Sequence, residues 1–182
     1  MWKRSWSKPW PGTIPHTTLF TVSKTKGKNP QIFSFLTLRV PCIVQRVRRT
    51  ALKLASGPSI SSRSPDLLVI ELSALLHDVL DKKYVPESLS SNPYAFFLPM
   101  FEELSEEHPS VGLLAEDGKR ARFIADIVTN VSWTTEKNLR QEGKWGAWHD
   151  SCLELHCVQD ADRLDAIGAF GTPRLWSTRE TL

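Results

Sequence analysis

The stretch Ser64-Pro65-Asp66-Leu67-Leu68-Val69-Ile70-Glu71-Leu72-Ser73-Ala74-Leu75-Leu76-His77-Asp78 decides how the fold is read. Apolar residues cover most of the circumference of a helix drawn through it, so it reads as a central buried helix. Ser64 is placed as its N-cap and Pro65 in its first turn. Its C-terminal end breaks into His77-Asp78, where burial is costly for charge unless it is paired or bound to a metal. Upstream, Val44, Val47, Ala51 and Leu54 recur at helical spacing in a segment 44–55 that Gly57-Pro58 closes. Downstream, residues 100–108 read as a short helix. Residues 118–133 place Ala121, Ile124, Ala125, Val128 and Val131 on one helical face, and residues 152–169 carry Leu155, Val158, Leu164 and Ile167. Pro86, Pro93 and Pro99 mark a loop-rich passage, and the polar, glycine-interrupted segment 136–148 reads as a loop beside a pocket. No alternating strand pattern recurs, so the expected fold is an all-α helical bundle.

The 182 residues suffice for one ordinary domain. No apolar run approaches the roughly 20 residues of a membrane-spanning helix, so no membrane partner is expected. Cys42, Cys152 and Cys157 form no CxxC pair, which argues against a disulfide framework or a thiolate zinc site and for a reducing compartment. The net charge of +3 divides sharply: residues 1–65 carry +12 without a single acid, and the rest of the chain carries −9. A uniformly basic nucleic-acid binder is thereby excluded, and nucleic acid is disfavoured as the partner. Residues 1–42, with five prolines, read as a poorly ordered basic segment in which only 32–38 resembles a strand. Two other readings of it stay open. One is a mitochondrial transit peptide, the alternative to a cytoplasmic location. The other is a basic tail whose Trp2, Trp6 and Trp10 alternate with Lys3, Arg4 and Lys8 and could stack on bases.

A second acidic cluster, Asp160-Ala161-Asp162-Arg163-Leu164-Asp165, interrupts the last apolar helix. Its spacing cannot put all three carboxylates on one face, so at most two face any shared site. Taken singly, each cluster has an ordinary reading, as a hydrogen-bonded helix end or a solvated face. Together, two acidic breaks on two apolar helices favour an imidazole-plus-carboxylate site for a divalent metal.

The string from Ala74 to Tyr84 (ALLHDVLDKKY) and, about 75 residues later, that from Val158 to Ala169 (VQDADRLDAIGA) resemble the HD-domain metal-dependent phosphohydrolases. The closer likeness is to the small single-domain branch that includes bacterial nucleoside-triphosphate pyrophosphohydrolases. The resemblance spans residues 43–171. It implies an HD-domain bundle acting on a small phosphorylated substrate such as a nucleotide, with a homo-oligomer compatible with it. His77 and Asp78 match the family's central metal-binding pair. Asp162, in the context Ala161-Asp162-Arg163-Leu164, matches the last ligand better than Asp160 does. Asp81 and Lys83 match the polar positions thought to handle the attacking water and the substrate phosphate. Lys137 and Arg163 are further candidates for phosphate contact on charge and placement. The donor set suits Mn, Fe, Co, Zn or Mg. The family's first histidine is missing: Arg46-Val47 sets its register, and Ile43 and Arg39 stand where histidines are expected. The resemblance also stops short of residues 172–182, a truncated or divergent tail, so both ends are expected to lie outside the ancestral domain. The alternative function is a degenerate, non-catalytic relative that binds a nucleotide or a protein partner.

Of the remaining candidates, His149 and His156 lie two helical turns apart, which would set both on one face of the last helix. A surface stripe is the simpler reading of them. Cys152 and Cys157 read as ordinary buried residues, and Trp133, Trp145 and Trp148 as packing groups.

Overall fold

The computed structural model describes residues 43–80 and 92–168. The expectations for residues 1–42, for Asp81 and Lys83, and for the tail after Gly168 lie outside them. Among the described residues there are eight α-helices, one short 3-10 turn and no strand. The described part of the chain is therefore all-α.

Helix α1 (Ile43–Ala55) buries Val44, Val47 and Ala51 of the expected stripe, leaves Leu54 half-buried, and buries Ala55 and Arg48 besides. After Gly57 comes a short helix α2 (Pro58–Ser61). Helix α3 (Leu67–Leu76) is buried at every position from Leu68 to Leu76. Its cap is Asp66, not Ser64: the Asp66 Oδ1 accepts from the amides of Leu68 at 3.1 Å and Val69 at 3.3 Å. A carboxylate that reaches two orphan amides wins the cap position, and Ser64 is left in the left-handed region at φ 51°. The helix stops at Leu76, with His77 as its C-cap, so His77 and Asp78 stand at its mouth and not inside it.

Helix α4 (Pro93–Glu107) corrects the loop expected up to Pro99. Asn92 caps it by accepting from the Ala95 amide at 3.1 Å, and Pro93 occupies the first turn, where a missing N–H costs nothing. Pro99 sits inside the helix, and the burial of Phe96, Phe97, Met100, Phe101 and Leu104 offsets the hydrogen bond it removes. A 3-10 turn (Pro109–Val111) leads to α5 (Ala115–Asn130). The segment 136–148 is likewise not a loop: it holds most of α6 (Trp133–Gln141) and the start of α7 (Ala147–Ser151). The buried anchor of α6 is the carboxylate of Glu136, which a search for apolar periodicity passes over. The last helix, α8, runs Leu153–Gly168. His149 lies on α7, so it shares no helix face with His156, whose Nε2–H donates to the His149 carbonyl at 2.8 Å.

Helix α3 packs against α1, α5 and α8, α1 packs against α8, and α4 packs against α5. The uninterrupted apolar run is thus the axle of the bundle. No helix among the described residues is long and apolar enough to cross a membrane.

The start of α5 is bent through Glu116, Asp117 and Gly118, all at positive φ. At Gly118 (φ +74°) a Cβ would meet the Tyr94 Oη at 2.8 Å, and the Tyr94 ring is itself held beneath Arg122 at 4.3 Å. Gly118→Ala is therefore expected to destabilise the protein by about 1–3 kcal/mol, read as a lowered urea midpoint.

Candidate functional site

His77 owes its position to the end of α3. Its Nδ1–H donates to the carbonyl of Ala74 at 2.8 Å, which fixes the ring and turns Nε2 away from the helix. Facing Nε2 are Asp162 Oδ1 of α8 at 3.5 Å and Asp78 Oδ1 at 3.9 Å. The His77 side chain is only 3% exposed, while the Asp78 and Asp162 side chains are 51% and 40% exposed. The imidazole therefore forms the floor of the site and the carboxylates its rim. Asp160 is exposed on another side of α8.

Burial works against the imidazolium, but Asp162 and Asp78 together outweigh it and hold the His77 pKa above its ordinary 6.5. A proton bound more tightly in the folded state stabilises the fold below about pH 6.5 and stops doing so as pH climbs through the raised value. Metal-free protein is expected to lose melting temperature across that alkaline-going window. In Asp162→Asn the slope should flatten, and a pH series of calorimetric scans reads both effects.

One imidazole and two carboxylates are donors of the type that Mn, Fe, Co, Zn or Mg accept. Their placement fits an ion less well. Among the described residues no three His, Cys, Asp or Glu side chains are grouped so that they could hold a metal. Ile43, where the resemblance led a first histidine to be expected, is half-buried on α1 and offers no donor.

Lys137 is exposed on α6. Arg163 is already engaged: its Nη2 pairs with Glu136, and its guanidinium lies 5.4 Å from the centre of the Trp133 ring. Glu136 also accepts from Arg140 Nε at 2.9 Å and from Gln159 Nε2 at 3.4 Å. Burial pushes the Glu136 carboxyl up, but Arg140 and Arg163 outweigh it and hold the pKa below its usual value. This network ties α6 to α8 beside Asp162. Its one sequence signal is the i, i+4 pair Glu136–Arg140. Burial pushes the thiols of Cys152 and Cys157 up to about 11, so they stay protonated and unreactive at neutral pH.

A cleft of about 830 Å³ opens at the other end of α3, around Asp66, Val111, Lys119, Arg120, Arg122 and Phe123. Its cations answer to the chain's own groups: Arg120 binds Asp66 and the Val111 carbonyl, Lys119 faces Glu116, and Arg122 bonds the Asp117 carbonyl. The pocket expected beside 136–148 is not this cleft.

No family model matches the chain, and no solved structure matches it. Among curated proteins it is 30% identical over 109 residues to "Uncharacterized protein YpgQ" of Bacillus subtilis (strain 168), a match covering 60% of this chain and 44% of that protein. It is also 30% identical over 129 residues to "Uncharacterized protein L803" of Acanthamoeba polyphaga mimivirus, covering 70% of this chain and 48% of that one. The chain spans about half the length of the curated relatives it matches.

Proposed function

We propose that the chain is a metal-dependent phosphohydrolase of the HD-domain kind, acting on a nucleotide or a related phosphate ester or anhydride. What supports this reading is the meeting of His77 with Asp162, 85 positions apart in the chain, at 3.5 Å beside Asp78. His77, Asp78 and Asp162 are the residues that would hold the ion. A divalent ion bound there supplies Lewis acidity toward a phosphoryl oxygen and lowers the pKa of the attacking water. The chain's own part is to present Nε2 through the Ala74 hydrogen bond, to keep the imidazole out of solvent, and to aim two carboxylates at it. Asp81 is assigned the orientation of the water and its proton. Lys83, with Lys137 and Arg163, is assigned the substrate phosphates. Arg163 can serve only if it leaves Glu136.

The test is phosphate or pyrophosphate release by purified protein with Mn²⁺ across a panel of nucleotides. Turnover that chelation and Asp78→Ala both abolish supports the reading; no turnover with any nucleotide sinks it. A second reading, a non-catalytic relative that binds a nucleotide or protein partner, draws on Ile43 in the first-ligand position and on the lack of a grouped three-donor set. It predicts nucleotide binding that is indifferent to Mn²⁺ and to Asp78→Ala.

A further inference from the structure

We infer that the cleft at the Asp66 end of α3 is a binding site for a small zwitterion, a molecule whose anionic and ammonium ends are separated by an apolar body. The cleft encloses about 830 Å³, a volume typical of small-molecule sites. It lies at the opposite end of α3 from His77, so the inference does not depend on the proposed reaction. One wall of the cleft is a single face of α5, where Lys119, Arg122, Phe123 and Asp126 recur at helical spacing over about 10 Å of the axis. Charge is thereby laid out in order along the wall: two cations at one end, an aromatic ring between, and a carboxylate at the other end.

The opposite charges on this wall do not pair with each other. Arg122 and Asp126 are one turn apart, but Arg122 leans toward the start of the helix. Its Nε–H donates to the Asp117 carbonyl at 3.2 Å, and its guanidinium lies over the Tyr94 ring at 4.3 Å. Among the described residues its Nη donors have no hydrogen-bond partner. Lys119 reaches Glu116 at 3.5 Å, but the two side chains are 78% and 76% exposed, so solvent screens the pair and a ligand displaces it at little cost. Arg120, by contrast, is engaged by Asp66 and the Val111 carbonyl. At the far end, nothing among the described residues donates to the Asp126 carboxylate; the side-chain bond at this residue is from Asn130 Nδ2 to its backbone carbonyl, at 2.8 Å. Burial pushes the Asp126 carboxyl above its usual range, against the pull of the Arg122 charge. A carboxylate that has lost water without gaining a partner is suited to a cationic group. Between the ends, Phe123 is half-buried and meets Trp148 edge to face at 6.4 Å, which holds its ring as apolar surface. A simple anion would leave Asp126 unanswered, and a simple amine would leave the Arg122 Nη donors so. A zwitterion with an apolar spacer answers both and covers the ring.

The experiment is calorimetric titration of ε-aminocaproate and γ-aminobutyrate into the full chain, with caproate and hexylamine as probes that each keep one charge. The expected result is saturable binding of at least one of the two amino acids, with caproate and hexylamine weaker by about tenfold or more. Asp126→Asn should bring the affinity for the amino acid down to that for caproate, and Arg122→Gln should bring it down to that for hexylamine. Melting temperature is the folding control. Lys119→Gln, at a largely exposed position, takes the place of Arg122→Gln should loss of the Tyr94 contact prevent folding, and it is expected to weaken the amino acid as well. No binding of either amino acid at millimolar concentration overturns the inference. So does caproate that binds as tightly as ε-aminocaproate, which would make the cleft an anion site, and so does wild-type affinity in Asp126→Asn. None of these outcomes bears on hydrolysis at the His77 end.

Discussion

Under the proposed phosphohydrolase function, Asp162→Asn is expected to lower Mn²⁺-supported hydrolysis by about 100-fold or more, while leaving the melting temperature of the metal-free protein near that of wild type at pH values above the His77 titration. The substitution keeps the shape of the side chain and removes its charge. Asp162 is half-buried at the rim of the site, with its side chain 40% exposed, so no core contact is lost. Even partners that only orient a metal ligand typically cost about 10-fold to 100-fold in affinity or activity when removed, and a ligand costs no less. Saturating Mn²⁺ separates the causes. If asparagine weakens only metal capture, high Mn²⁺ restores the rate; if it also misplaces the reacting groups, kcat stays low. Full activity in this variant, with Asp160→Asn inactive instead, would move the site to the other face of the helix.

The largest effect on stability is expected from Arg48→Met. Arg48 and Glu71 are 6% and 1% exposed, and they are joined by the Nε–Oε1 bond at 2.8 Å and a second contact through Nη2. Burial raises the Glu71 pKa, and Arg48 acts to lower it. Without the guanidinium, Glu71 keeps the penalty of burial and loses its counter-charge, a change that typically costs about 3–5 kcal/mol. The deficit should be large at pH 7 and shrink below about pH 4.5, where the unfolded chain also carries the proton. Arg48→Met combined with Glu71→Leu removes both charges and should recover most of the loss, since apolar replacements of buried pairs are often neutral or better. Chemical denaturation of the four proteins at two pH values closes the cycle. A single variant as stable as wild type would show that Glu71 finds another donor.

Sequence patterning reaches the bundle where helices bury apolar side chains. The 3.6-residue spacing in α1 names Val44, Val47 and Ala51 among its buried residues, and the unbroken run of α3 names its own. It fails where a helix is held by polar groups or opened by proline. The one buried residue of α6 is Glu136, which scores as surface on any hydropathy scale. At Pro93 the decisive clue is Asn92 just ahead of it, which turns a loop signal into a helix start. The site is half legible. Two acidic breaks in oily helices announce that something is paired there; spacing puts Asp162 on the side of Val158 and points Asp160 elsewhere, and the resemblance adds the choice of Asp162 as the ligand. Nothing in the patterning ties Arg46 to Asp165, because a contact across 119 residues leaves no local period.

Since α3 is enclosed on every side from Leu68 to Leu76, it offers evolution no quiet position for trial and error. Saturation mutagenesis scored by soluble yield should trace this nine-residue stretch as a continuous band of intolerance, without the every-third-residue relief seen along a helix that has a wet side. New chemistry in this architecture can enter only where the band ends.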